Sequence, residues 1–243
     1  MKQFGLIKEI SLEDELSWRD KIFITLDIDW AHDEVIRYVA KLLSDNNVKA
    51  TWFVTHQTPV LNELRANPLF ELGIHPNYNP LLLNGSAEKG NTAKDILDNV
   101  ISIVPEAGSV RSHCLTQNTS LVTYYNEHKI SKELNMLIPI QSGIVVKPFK
   151  DCSHLIQLPH IWEDDVHMLY KCDYLDMLKQ INEYSGLTIL DFHPIHVYLN
   201  ETTFQHYQEA KPNLQTISKL IECVNTSTFG TKDFLVKLIN HHK

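Results

Sequence analysis

Apolar positions along this chain come in short blocks of two alternating periods. The block Ile22-Phe23-Ile24-Thr25-Leu26-Asp27-Ile28-Asp29 is β-branched and almost unbroken, the pattern of a strand buried on both faces over residues 21–28. Val35, Ile36, Val39, Leu42 and Leu43 then recur at helical spacing and predict a helix over 33–46. The alternation continues with a strand at 49–55, a helix at 59–66 and a strand at 70–75. A helix at 93–104, a short strand at 109–113, a helix at 119–129 and a strand at 134–139 come next. One or two short strands fall within 144–161, followed by a helix at 172–184 and a last strand at 187–194. Helices at 214–224 and 232–241 finish the chain. The loop from Pro76 to Asn91 is long for a compact fold, and such loops more often carry function than not.

About seven strands alternate with helices, with no glycine-rich linker and no internal repeat, which implies parallel strands with helices packed outside. That many units in 243 residues fit one domain, 1–243, built as a distorted (β/α) barrel with about seven parallel strands. An open dinucleotide-binding sheet would carry a glycine-rich turn after its first strand. Here Asp27-Ile-Asp-Trp-Ala-His32 stands in that place.

Charge narrows the partners. Twenty-two basic against 30 acidic side chains give a net charge of -8, which argues against nucleic acid or an anionic membrane surface as partner. Cys114, Cys152, Cys172 and Cys223 form no C-x-x-C pair and read as reduced thiols. The first twenty residues carry acids and no apolar core, so no signal peptide is read. No stretch approaches the ~18 apolar residues of a membrane span, and a cytoplasmic location is the expectation.

Side chains capable of chemistry gather at four strand ends: Asp27 with Asp29, His75, Arg111 with His113, and Asp191 with His193. In a β/α barrel those ends share one face. Strand alternation would turn Asp27 and Asp29 to the same side; the plainer alternative is that Asp29 or Asp33 caps the following helix. A single strand-end histidine is ordinarily a hydrogen-bonded rim residue, and a single arginine an ion-pair partner. Four successive ends together favour a site. His196 reads as a rim residue in a loop. Trp30, His32 and His160 suit either the lining of a sugar site or plain packing.

These residues resemble the motifs of the NodB-homology polysaccharide deacetylases, carbohydrate esterase family four. The similarity runs over roughly residues 20 to 200. It is nearest to a divergent WbmS-like branch among surface-polysaccharide (O-antigen or capsule) biosynthesis proteins. Leu26-Asp-Ile-Asp-Trp30 resembles the first motif, usually Thr-Phe-Asp-Asp-Gly-Pro, which implies Asp27 as general base and Asp29 as metal ligand. His75-Pro-Asn-Tyr-Asn79 resembles the second motif, His-Ser/Thr-x-x-His, whose histidines bind metal. Arg111 falls where the third motif places an arginine that positions the base. Trp162-Glu-Asp-Asp165 resembles the fourth, with an aromatic wall and an acid that tunes the final histidine. Leu190-Asp-Phe-His193 resembles the fifth, whose histidine is the general acid.

Three departures stand out. Ile28 intervenes between the paired acids, and Arg-Ser-His-Cys replaces the proline-rich third motif. Asn79 stands where a second histidine ligand is usual, and its neutral carbonyl is a weaker ligand than imidazole. Asn79 and His113 therefore compete for the third ligand position beside Asp29 and His75.

The resemblance implies a divalent ion, Zn2+ first, with Co2+, Ni2+ or Mn2+ as other fits. Such an ion can lower the pKa of a water toward ~7 and polarise an acetyl carbonyl. Asp27 would take the water's proton, Arg111 would keep it ionised, and His193 would protonate the departing amine. Asp164, from the acidic run, or Asp191 would keep the imidazole charged; Asp191 equally suits a hydrogen-bonded seal of the barrel. The implied activity is removal of an N-acetyl group from an amino sugar of a surface polysaccharide or its precursor. The implied partner is thus an N-acetylated sugar or glycan. Hydrolysis of another small amide or formamide, or glycan binding by a degenerate barrel without turnover, are the alternatives.

Overall fold

The computed structural model describes residues 1–85 and 90–243; the part of the predicted long loop at 86–89 lies outside the described residues. Among the described residues ten strands form one sheet. They are β1 (Gln3–Phe4), β2 (Lys21–Asp27), β3 (Ala50–Val54), β4 (Phe70–Ile74) and β5 (Ser109–Val110). The second half of the chain adds β6 (Lys132–Glu133), β7 (Phe149–Lys150), β8 (Ile156–Gln157), β9 (Trp162–Glu163) and β10 (Thr188–Phe192). Their order is β7-β8-β6-β5-β4-β3-β2-β10-β9, with β1 beside β2. Every pairing is parallel except β7 with β8.

The sheet curls, and the stretch 156–163 brings its two sides together. At its start β8 pairs with β6, and at its end β9 pairs with β10. Between them Leu137 bridges His160, and the Ile161 N–H donates to the Ile189 carbonyl at 3.0 Å. The strands β2, β3, β4, β5, β6, this joining stretch and β10 are thus the staves of the expected distorted parallel barrel. Short ladders account for the differences from the sequence reading. The strand expected at 109–113 stops after Val110, and that at 134–139 is the two-residue β6 with its bridge at Leu137. The supposed loop after Pro76 contains a helix, Asn79–Asn84. Helices Asp164–Leu169, Pro194–Leu199 and Phe204–Ala210 are too short for periodicity to reveal, and the helix expected at 214–224 keeps α-helical form only over Ile217–Leu220.

Burial explains the central strands. Ile22, Phe23, Ile24 and Leu26 of β2 are wholly buried between β3, β10 and the helices outside. Helix Asp33–Asp45 turns Val35, Ile36, Val39 and Leu43 inward. It is capped by His32, whose Nδ1 accepts from the Glu34 N–H at 3.1 Å, so neither Asp29 nor Asp33 takes the capping role. Gly73 on β4 marks a close approach: a Cβ there would stand 2.6 Å from the Phe53 ring and 2.9 Å from Ser109 Oγ. The space it leaves lets Phe53 lie beneath the site. Among the described residues no helix is long and apolar enough to cross a membrane.

Candidate active site

Arg111 follows β5 directly and is wholly buried. Its Nε donates to both carboxylate oxygens of Asp27 at 3.0 Å, and its Nη2 to Asp27 Oδ1 at 2.5 Å. Nη1 donates to Thr25 Oγ1 at 2.9 Å, and Nη2 also pairs with Asp191 Oδ1. The guanidinium carbon lies 4.5 Å from the centre of the Phe53 ring. One cation is therefore fixed by two buried carboxylates, a hydroxyl and an aromatic face, the pairing that buried charge demands. Asp191 thus belongs to the arginine, and the contact to His193 comes from another acid.

Above this layer Asp29, His75 and His113 converge. Asp29 Oδ1 lies 3.2 Å from His75 Nε2 and 3.2 Å from His113 Nδ1, and the two nitrogens are 3.3 Å apart. Asp29 Oδ1 is buried yet has no hydrogen-bond partner among the described residues. Three N/O ligands ~2.0–2.1 Å from one tetrahedral ion stand about 3.3–3.4 Å apart, so this donor set fits a divalent cation. The other nitrogen of His75, Nδ1, faces Asp27 Oδ2 at 3.4 Å, the kind of outer carboxylate that orients a ligating imidazole. Asp29 does not reach the site by strand alternation. The strand ends at Asp27, and Asp29 and Trp30 take left-handed backbone angles, φ 34° and 56°, that swing the carboxylate over. A similar turn at Cys114 and Leu115, φ 54° and 53°, follows His113. Asn79 starts helix Asn79–Asn84, with its N–H donating to Asn77 Oδ1 at 3.0 Å.

His193 follows β10 directly, as the cap of helix Pro194–Leu199, and completes the wall. Its Nδ1 lies 2.7 Å from Asp164 Oδ1, its backbone N–H donates to Asp164 Oδ2 at 2.7 Å, and its Nε2 is 3.6 Å from Asp29 Oδ2. Burial disfavours a charged ring here, but the charge and hydrogen bond of Asp164, joined by Asp29 and Asp165, outweigh it. His193 is held well above the usual imidazole range. These side chains open on a cavity of about 220 Å³ lined by Asp29, Trp30, His113, Asp165, His193 and His196, and roofed by Phe204, Tyr207 and Leu214. Burial and the negative charges of Glu163 and Asp164 push the Asp165 carboxyl up to about 7 against the opposing charge of His193.

The remaining expectations sort cleanly. Trp30 lines the cavity, whereas His32 is a helix cap and His160 is buried beside Glu163 Oε2 at 3.2 Å. Trp162 does not line this cavity: it packs on Phe192 at 4.8 Å and Phe234 at 4.9 Å and borders a separate cavity with Ile161, Glu163 and His167. His196 is not in a loop but buried on helix Pro194–Leu199, paired with Glu201. Thr25, Phe53, Glu201 and Tyr207 carry no motif that singles them out, and only the folded chain brings them to the site.

A curled parallel sheet with these side chains at its carboxyl ends has the architecture of a polysaccharide deacetylase. The family model of WbmS-like polysaccharide deacetylases matches residues 24–211, and the chain belongs to that family. A crystal structure of WbmS from Bordetella bronchiseptica, a proposed polysaccharide deacetylase involved in O-antigen biosynthesis, is 39% identical with a TM-score of 0.93. The match covers 98% of this chain and 98% of that one. A mutant of a family-four carbohydrate esterase pseudoenzyme with restored activity is 15% identical with a TM-score of 0.41, over 83% of this chain and 62% of that one. No curated protein matches the chain.

Proposed function

We propose that this chain is a divalent-metal-dependent hydrolase that removes the N-acetyl group from an amino sugar of a surface polysaccharide or its precursor, in O-antigen assembly. The observation that carries the reading is the triangle of Asp29, His75 and His113, 3.2–3.3 Å on each edge, beside His193 and its carboxylate partner. His113 rather than Asn79 is the third ligand in this reading. A bound divalent ion supplies a water of lowered pKa and polarises the acetyl carbonyl. Asp27, gripped through both carboxylate oxygens by the Arg111 guanidinium, would accept the proton of the attacking water. His193 gives its Nε2 proton to the departing nitrogen, and Asp164 stabilises the charged ring and fixes its orientation. Trp30, Phe204 and Tyr207 offer apolar faces to a sugar ring, and a cavity of about 220 Å³ suits a single ring rather than a long segment of glycan.

The test is acetate release from a panel of N-acetyl amino sugars, with the metal content of the protein measured alongside. Acetate should appear with the metal-loaded protein and stop after chelation. Acetate production that survives complete removal of metal, or none from any sugar of the panel, overturns the reading.

A further inference from the structure

A second imidazole–carboxylate pair shares the cavity wall with the first, and the proposed chemistry leaves it unused. His193 and His196 lie three residues apart at the start of helix Pro194–Leu199, and their rings meet edge-on with centroids 5.2 Å apart. His196 is 4% exposed and also stands edge-on to Tyr207 at 5.0 Å. Its Nδ1 pairs with Glu201 Oε2. Glu201 is wholly buried, and its main chain is tied down on both sides. Its N–H donates to the His196 carbonyl at 3.1 Å, and its own carbonyl accepts from Thr231 N–H at 2.9 Å and Thr231 Oγ1 at 3.0 Å. A carboxylate at that depth is costly unless it serves a partner, and the partner here is a ring on the cavity wall. Asp164 already serves His193, so the Glu201 pair is not a duplicate support for the acid.

With Nδ1 committed to Glu201, Nε2 is the ring nitrogen of His196 left for the cavity. We propose that His196 contacts the substrate: its Nε2 hydrogen-bonds the hydroxyl on the ring carbon next to the carbon that bears the acetamido group. Glu201 is the positioning residue that holds the imidazole for that contact. The inference rests on the deacetylase reading and names its substrate class, an N-acetyl amino sugar with a free vicinal hydroxyl. Two rings 5.2 Å apart on one wall can serve two adjacent substituents of one pyranose, the nitrogen at His193 and the oxygen at His196. The groups facing His196 are Glu201, Asp164, His193 and Tyr207; burial disfavours its charge, but Asp164 and Glu201 raise its proton affinity, which suits donation to a hydroxyl oxygen.

The probes are the methyl glycosides of N-acetylglucosamine and N-acetylgalactosamine and their 3-deoxy analogues, with the metal-loaded full chain. Acetate release gives kcat and KM, and titration calorimetry gives Kd without turnover. In the unmodified protein, loss of the 3-hydroxyl should lower kcat/KM by ~10–100-fold, mostly through KM. His196→Ala and Glu201→Gln should lose a similar factor on the 3-hydroxy glycoside, keep their metal, and lose less than about twofold more when the hydroxyl is removed. An equal cost of the missing hydroxyl in protein and variants overturns the contact while leaving the deacetylase reading intact. The same contrast in Kd with no acetate released supports the contact and overturns the deacetylase reading. If neither variant folds, the unmodified protein decides: a 3-deoxy glycoside handled within twofold of its parent, or no binding of any of these glycosides, overturns the proposal.

Discussion

Replacing Arg111 by methionine removes the cation that Asp27 and Asp191 share, while leaving a side chain that can still lie on Phe53. Both carboxylates are almost completely buried, at 4% and 1% exposure, so neither can swing out into bulk solvent. Breaking one buried pair from one side typically costs ~3–5 kcal/mol, because a charge is left behind without compensation. The lost cation–π contact adds ~0.5–2 kcal/mol. For a chain of this length each kcal/mol moves Tm by roughly 2–4 °C, which predicts a fall of about 7–28 °C in calorimetry near pH 7.5. The sign of the pH dependence is fixed as well. Burial already raises Asp191 well above the ordinary carboxylate range against the charge of Arg111, and with the guanidinium gone burial acts unopposed on the two acids, whose folded-state pKa values should rise further above the ~4 of the unfolded chain. Their stability is then present below ~4 and lost as pH rises through the raised values, so the gap to the parent protein widens with pH. Asp191→Asn added to Arg111→Met should recover part of the loss, since one stranded charge goes. A variant within ~2 °C of the parent at pH 7.5, or a gap that narrows as pH rises, would refute the claim that this arginine neutralises the barrel floor.

Asp27→Asn should retain metal while turnover falls by ~10²–10⁴-fold, measured as acetate release alongside metal analysis; activity that persists would move the base to another acid, of which Asp165 lines the cavity. His113→Ala should weaken Zn2+ binding by ~10-fold or more in equilibrium dialysis and Asn79→Ala by less than about twofold, and the reverse order would return Asn79 to the metal. Asp164 holds His193 protonated to higher pH than an ordinary imidazole, so Asp164→Asn should move the alkaline limb of the kcat/KM profile to lower pH by about a unit or more. A limb that stays put would free His193 of that dependence.

The parts of the fold that were legible are those where one strong period is matched by burial. Residues 22–28 and 35–43 are dense enough in apolar side chains that no other assignment suits them, and β2 and helix Asp33–Asp45 fall where expected. Two-residue strands such as β5 and β6 offer no period to read, because their pairing is decided by neighbours distant in sequence. The site was legible where a strand hands a polar side chain to its carboxyl end, as at Asp27, His75, Arg111 and His193. It was not legible where a helix or the core supplies the group. His196 looked like a loop residue because the helix that begins at Pro194 has only six members. Trp162 sits in a motif that suggests a wall of the site, yet its ring packs on Phe192 and Phe234 and borders a different cavity. Asp191 shares the strand face of His193, and only the buried guanidinium from another strand end decides which neighbour it serves.

The extra residue in Asp27-Ile28-Asp29 also acquires a physical account. Ile28 is wholly buried and its N–H donates to the Phe53 carbonyl at 3.2 Å, so the insertion is absorbed as one more step of β-like pairing. Left there, an extended chain would carry the next residue along the strand axis. Instead Asp29 and Trp30 adopt left-handed angles, and the Ala31 N–H closes back on the Ile28 carbonyl at 2.7 Å. Non-glycine residues held so cost on the order of 1–3 kcal/mol each, and such strain persists only where surrounding contacts impose it. The contacts are present: Trp30 stands edge-on to His113 at 5.3 Å, and its carbonyl accepts from Gln215 Nε2 at 2.9 Å. The turn that corrects the register of Asp29 therefore also sets Trp30 against a histidine of the cluster and ties the cavity roof to it. An inserted isoleucine, a strained turn and the segment following Tyr207 form one device, and a glycine at position 30 would relax the turn at the expense of the ring contact with His113, while keeping the carbonyl that accepts from Gln215.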